Sequence, residues 1–212
     1  LDGYAIVTIP GGFSYGDDIA AGVILARRLQ DDIPDVFRAF VDRGGGVLGV
    51  CNGFQVLVKM GLLPGGEFGR DQVTVTFNDS ARFEARWVRM EVCTSQCPFL
   101  EKGHPLEMPV EHAEGKVVTA AAAVTERLLQ SGGVALRYVD ADGCYDTYPA
   151  NPNGSTAGIA GLCDVTGRIF GLMPHPDRHF DHTQHPQWTR RKPSGPPDGL
   201  TVFQNAVRYW SR

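Results

Sequence analysis

No stretch of this 212-residue chain is apolar for long enough to span a bilayer, and no short apolar segment with a basic flank opens it as a secretory signal would. Charge of a single sign is lacking too. Twenty basic and 24 acidic residues are interspersed and leave a net charge of −4, which favours neither nucleic acid nor an anionic membrane as partner. The five cysteines are odd in number and irregular in spacing, so a disulfide framework is excluded and free thiols in a cytoplasmic protein are expected. Cys93 and Cys97 lack the second pair that zinc requires, and with Cys144 and Cys163 they are read as structural. His179, His182 and His185 recur every third residue without other ligands at metal spacing, so no metal site is expected. There is no Gly-x-x-x-x-Gly-Lys-Ser/Thr loop. Gly44, Gly46 and Gly49 match G-x-G-x-x-G only in form, because they lead into a strand and do not open a helix. No cofactor is expected in this chain.

The composition, 42% hydrophobic and 21% charged, is that of an ordinary α/β domain covering residues 1–212. Apolar patterning predicts strands over 4–9, 47–50, 72–76, 85–93, 116–119, 134–139, 158–162 and 168–173. It predicts helices over 19–29, 36–41, 54–60, 120–130 and 200–210, with Asp198 available to cap the last. Residues 181–197, rich in proline and containing Arg190, Arg191 and Lys192, read as a long surface excursion. The chain opens at Leu1 and enters a buried strand almost at once, so preceding chain is expected.

The chemistry gathers at three places. Gly49-Val-Cys51-Asn-Gly53 sets a cysteine between two glycines at a strand-to-helix turn, the pattern of a nucleophile elbow. Glycines there remove Cβ clashes that the sharp turn would otherwise create, and amides of the following helix favour negative charge on sulfur. His175-Pro-Asp177 follows an apolar strand. Alternate side chains of extended backbone point the same way, so the carboxylate can orient an imidazole that serves the thiol. Pro10-Gly-Gly12-Phe follows the opening strand, where the Gly12 amide can serve an oxyanion alongside the amide of Asn52.

Three segments, Pro-Gly-Gly-Phe-Ser-Tyr-Gly-Asp at 10–17, Gly-Val-Cys-Asn-Gly-Phe-Gln at 49–55 and Met-Pro-His-Pro-Asp-Arg at 173–178, resemble class I glutamine amidotransferases. Residues 61–65, 112–115 and 151–155 are similar to segments of one branch, the glutaminase subunits of phosphoribosylformylglycinamidine synthases. The resemblance spans nearly the whole chain. It implies a three-layer, flavodoxin-like α/β fold with a mostly parallel central sheet, helices on both faces and a few antiparallel strands. The family's first strand, first helix and second strand would precede Leu1.

By the same resemblance Cys51, His175 and Asp177 form the triad, Gly12 and Asn52 the oxyanion donors, and Gln55, His112 and Glu114 the glutamine contacts. The family more often has glutamate where Asp177 stands. Ammonia freed from glutamine would pass to a synthetase subunit carrying ATP and magnesium, an arrangement that admits a small accessory subunit. The turn at 151–155 and the basic excursion are candidate interfaces with it. On the residues alone two other readings stay open: a cysteine hydrolase with a different acyl substrate, and a non-catalytic module that binds the synthetase.

Overall fold

The computed structural model describes residues 1–66, 70–192 and 194–211. Its centre is a seven-stranded mixed sheet. The strands in chain order are β1 (Ile6–Ile9), β2 (Gly46–Val50), β4 (Glu84–Val92), β5 (Leu106–His112), β7 (Val134–Tyr138), β8 (Ile159–Cys163) and β9 (Ile169–Leu172). In space they run β1-β2-β9-β8-β7-β4-β5, and β3 (Val73–Thr76) pairs with β6 (Lys116–Thr119) as a separate antiparallel ribbon.

Parallel pairing is confined to β1–β2 and β2–β9, and all other pairs in the large sheet are antiparallel. The sheet is thus mixed, with fewer parallel neighbours than the resemblance led one to expect. The parallel trio nevertheless decides function, because all three strands end on the same edge. β1 runs into Pro10-Gly11-Gly12, β2 into Cys51 and β9 into Met173-Pro174-His175, so the three chemical segments meet outside the carboxyl ends of the strands.

Five helices cover the sheet: α1 (Val23–Asp32), α2 (Pro34–Asp42), α3 (Asn52–Lys59), α4 (Ala122–Ser131) and α5 (Asp198–Trp210). Two glycines of β2 show that both faces are covered. A Cβ on Gly46 would lie 2.4 Å from the Trp210 ring of α5, and one on Gly49 would lie 2.6 Å from Leu57 of α3. These positions point to opposite faces of the strand. β2, β8 and β9 are accordingly buried along their whole length, which is why they read as continuous apolar runs. Fully buried Leu48, Phe54, Phe99, Leu136 and Phe170 belong to the core between the layers.

Most predicted elements are present with ends displaced by a few residues. β5 is the strand that patterning missed, because Pro109 interrupts it. The structure resolves the conflict by placing β5 at the sheet edge, where a missing N–H is tolerated. Asp198 is the first residue of α5 and does not cap it; Pro197 holds the cap position, and Asp198 Oδ2 accepts the Glu107 N–H at 2.7 Å.

One reading of the loops changes. The 151–155 segment, a candidate interface, is turned inward: Asn151, Asn153 and Ser155 are buried. Asn153 Nδ2 donates to Gly115 O at 2.8 Å, and Ser155 Oγ accepts the Val117 N–H at 3.0 Å. The 181–197 excursion, whose Pro193 lies outside the described residues, runs over the surface as expected, with most of its residues exposed and His185 pinning it to the body. His179 and His185 are buried against Trp87, with ring centroids 4.9 and 4.5 Å away, while His182 Nε2–H donates to Gly195 O at 2.9 Å. Among the described residues no group of three or more His, Cys, Asp or Glu side chains is placed to hold a metal ion.

Candidate active site

Cys51 is forced into φ 50°, ψ −104° between the end of β2 and the start of α3, a conformation that a non-glycine residue adopts only when its surroundings compel it. The flanking glycines make the tight turn possible. A Cβ on Gly53 would lie 1.9 Å from Ile9 O, and one on Gly49 would lie 2.7 Å from the Gly53 carbonyl group. The thiol contacts Glu111 O at 3.7 Å, on the edge strand β5 that curls back over the parallel trio.

His175 is brought to the thiol by the end of β9, and its N–H is held by Pro109 O at 2.8 Å. Its Nδ1 lies 3.3 Å from Asp177 Oδ1, close enough for an ion pair, although the angle is not that of a hydrogen bond. Burial of the ring opposes its charge, but the Asp177 carboxylate and the Cys51 sulfur outweigh burial and raise His175 to about 9. Asp177 is correspondingly held below the usual carboxylate range: burial pushes it up, and contact with His175 more than compensates. The shorter carboxylate reaches the ring because Pro176–Arg178 forms a tight 3-10 turn, which draws Asp177 back toward His175.

The Pro10-Gly-Gly turn touches both partners, through Gly11. A Cβ there would be 2.7 Å from His175 Cε1 and 3.4 Å from Cys51 Cβ, whereas Gly12, at φ 131°, faces open space. Asn52 follows Cys51 and is buried. Its Oδ1 accepts the Ser14 N–H at 3.3 Å, while its Nδ2 donates to Asp17 Oδ1 at 3.2 Å and Gln55 Oε1 at 3.0 Å.

Gln55 donates its other end to Glu114 O, so both ends of its amide are engaged by the protein. Glu114 Oε2 accepts the Ala21 N–H at 3.3 Å, and burial together with nearby Glu114 raises the Asp17 carboxyl. His112 is fixed by Asn78. The Asn78 amide donates to Arg82 O at 2.9 Å and His112 O at 2.8 Å, which leaves its Oδ1 to accept Gly115 N–H at 3.0 Å and His112 Nδ1–H at 3.1 Å. His112 Nε2 therefore carries a lone pair, and it is buried with no protein partner. Burial above all, with the His175 charge adding, lowers His112 to about 4.

A strained cysteine, an imidazole and a carboxylate converging beside a glycine turn are what acyl transfer from an amide requires. The family model of the CobB/CobQ-like glutamine amidotransferase domain matches residues 1–210. The chain belongs to this family. Among relatives of the amidotransferase, the phosphoribosylformylglycinamidine synthase subunit PurQ of Dehalococcoides mccartyi is 42% identical over 211 residues, covering 99% of this chain and 80% of that protein. The PurQ subunit of Archaeoglobus fulgidus is 41% identical over 218 residues, 97% of this chain and 78% of that protein. Among solved structures, PurLQS from Thermotoga maritima superposes with a TM-score of 0.73 at 32% identity, over 99% of this chain and 81% of the other.

Two residues that meet this site, Asn78 and Glu111, were not legible in the sequence, and for Gly11 and Asp17 the segment was legible but the contacts were not. Asn78 and Glu111 lie in unremarkable local sequence and reach the site only through the β4–β5 curl and the ribbon beside it. The Gly-Gly pair was visible, but which glycine abuts the histidine depends on how β1 ends. No helix among the described residues is long and apolar enough to cross a membrane.

Proposed function

We propose that this chain is the glutaminase subunit of a phosphoribosylformylglycinamidine synthase. It hydrolyses glutamine and supplies the ammonia to a synthetase that converts formylglycinamide ribonucleotide to formylglycinamidine ribonucleotide. The observation that carries the reading is the convergence of Cys51, His175 and Asp177 at the ends of parallel strands. Likeness to PurQ subunits over nearly the whole chain supports the acceptor.

In this mechanism the Cys51 sulfur, as thiolate beside a charged His175, adds to the carboxamide carbon of glutamine. The oxygen takes up the electron pair and is held by the amides of Gly12 and Asn52. The C–N bond then breaks as His175 gives its proton to the departing nitrogen, and ammonia leaves behind a glutamyl thioester. Neutral His175 next takes a proton from water, hydroxide adds to the thioester, and the thiolate departs to leave glutamate. Asp177 keeps the ring oriented throughout. Gln55, His112 and Glu114 form the wall that holds the rest of the glutamine, with Glu114 suited to the α-ammonium group.

ATP and magnesium belong to the synthetase in this reading, and the compartment is the cytoplasm, where free thiols and this pathway fit together. The test compares glutamine and ammonium salts as nitrogen donors for the complex. Cys51→Ala should abolish the glutamine-dependent reaction and leave the ammonium-dependent one intact. Retention of glutamine-dependent turnover would remove the proposed nucleophile.

A further inference from the structure

We propose that His179 is a positioning residue for the Cys51–His175 pair: with the excursion that follows it, His179 clamps Glu107 and so sets the free edge of β5 against the thiol and the imidazole. The inference deepens the glutaminase reading above and rests on it. β5 is the last strand of the sheet, and in an antiparallel pair the backbone groups of alternate residues point away from the partner strand. In β5 those residues are Glu107, Pro109 and Glu111. Their three carbonyls meet His179, His175 and Cys51 in turn. Glu107 O accepts His179 Nδ1–H at 2.7 Å, Pro109 O accepts the His175 N–H at 2.8 Å, and Glu111 O faces the Cys51 thiol at 3.7 Å. A carbonyl only accepts, so Nδ1 of His179 carries the proton.

Asp177 lies between two of these anchors. A single 3-10 turn, Pro176–Arg178, separates His175 from His179, with the Arg178 N–H on His175 O at 3.2 Å and the His179 N–H on Pro176 O at 3.1 Å. A turn so short, fixed at one end to Pro109 and at the other to Glu107, holds the imidazole and its carboxylate in place beside the thiol. Without the anchor at Glu107 the turn pivots on one backbone bond. A misplacement of about 1 Å is enough to cost on the order of a hundredfold in rate.

The excursion shows why the anchor is Glu107. It leaves the body after His179 and returns at Leu200, whose N–H closes its base on His179 O at 3.2 Å. Within it, His185 Nδ1 accepts the Gln187 N–H at 3.0 Å, so Nε2 carries the hydrogen and faces Glu107 Oε2 at 3.4 Å, where Arg191 binds as well. Arg89 of β4 reaches Glu107 Oε1 at 3.7 Å, and Asp198 takes the Glu107 N–H. The N–H, carbonyl and carboxylate of one residue are all held from the excursion, its two roots and the neighbouring strand. A buried histidine bonded to a carbonyl is ordinary by itself. What distinguishes His179 is that its acceptor stands in one row with those that face the nucleophile and the base.

The test uses the complex with the synthetase and three variants. His179→Asn keeps an N–H donor near the place of Nδ1, His179→Phe keeps a ring on Trp87 without the donor, and His185→Phe frees one of the groups that hold Glu107. The readouts are kcat and KM for glutamine and the rate at which iodoacetamide alkylates Cys51 near pH 7, followed by peptide mass. For His179→Phe we expect kcat to fall about tenfold, KM to stay within about twofold and alkylation of Cys51 to slow by a factor like that in kcat, because the thiol loses its partner ring more often. His179→Asn should restore both rates to within about threefold of wild type, and His185→Phe should lie between the two. Wild-type kcat in His179→Phe overturns the proposal. So do equal losses in the Asn and Phe variants, which would make the ring packing alone, and a loss carried by KM. Should His179→Phe fail to fold, His185→Phe decides: a lower kcat with slower alkylation supports the clamp, and wild-type values overturn it. A wild-type complex that releases no glutamate from glutamine, while alkylation of Cys51 still depends on residue 179, would instead refute the glutaminase reading and not the clamp.

Discussion

Replacing Asp177 with asparagine removes the carboxylate that faces His175 at 3.3 Å and leaves the shape of the turn intact. The rise of His175 from 6.5 to about 9 amounts to roughly 3 kcal/mol of preference for the charged ring. Asp177 and Cys51 share that preference. The Asp177 side chain is 53% exposed, so solvent screening limits its part to about 1–2 kcal/mol. Asp177→Asn should therefore lower the ring to about 8, and the alkaline limb of the glutaminase rate should move down by about one pH unit. A charged ring is needed to protonate the departing nitrogen, so the limb falls where the ring loses its proton. Stability moves with it: a raised pKa contributes in full below 6.5 and is lost as pH rises through about 9, so the variant should be weaker below that range and equal above it. The assay is glutamate release by the synthetase complex between pH 6 and about 10, where the expected limb lies. Asp177→Glu, with its charge retained, should keep the wild-type limb. An Asn variant whose limb does not move would refute the assignment of Asp177 to the histidine, however much activity it lost.

Gly11→Ala should fold, because Gly11 lacks a positive φ, yet lose about a hundredfold or more in glutaminase rate, since its Cβ would meet His175 Cε1 at 2.7 Å. Near-normal turnover in a correctly folded variant would show that the turn has room to give. His112, lowered to about 4, should make the fold acid-sensitive. A lowered pKa contributes above 6.5 and is lost as pH falls toward about 4, up to roughly 3 kcal/mol. Urea titrations at pH 7 and pH 5 should show a smaller loss for His112→Gln than for wild type, and equal losses would mean that His112 charges without penalty.

The fold was readable where local pattern and tertiary environment agree. β2, β8 and β9 are buried on both faces, so their apolar runs spoke for themselves, and the glycines around Cys51 announced a turn that only residues without a Cβ allow. Pattern failed where an edge position overrode it, as at Pro109 in β5, and where polar residues turned inward, as at Asn151, Asn153 and Ser155. An asparagine looks the same in sequence whether it faces water or supplies the last hydrogen bond to a buried carbonyl.

Residue order alone singled out Cys51, His175 and Asp177, because each lies within a few residues of a backbone feature that local sterics impose, and the structure brings His175 beside both Cys51 and Asp177. Only the tertiary structure decided that Glu111 contacts the thiol, that Asn78 sets the tautomer of His112 and that Asp17 is tied to Asn52. Those contacts join residues more than 30 positions apart. Two of them depend on the edge strand β5 reaching the ends of the parallel strands and the third on β1 and β2 ending side by side, and no short stretch of sequence encodes either arrangement.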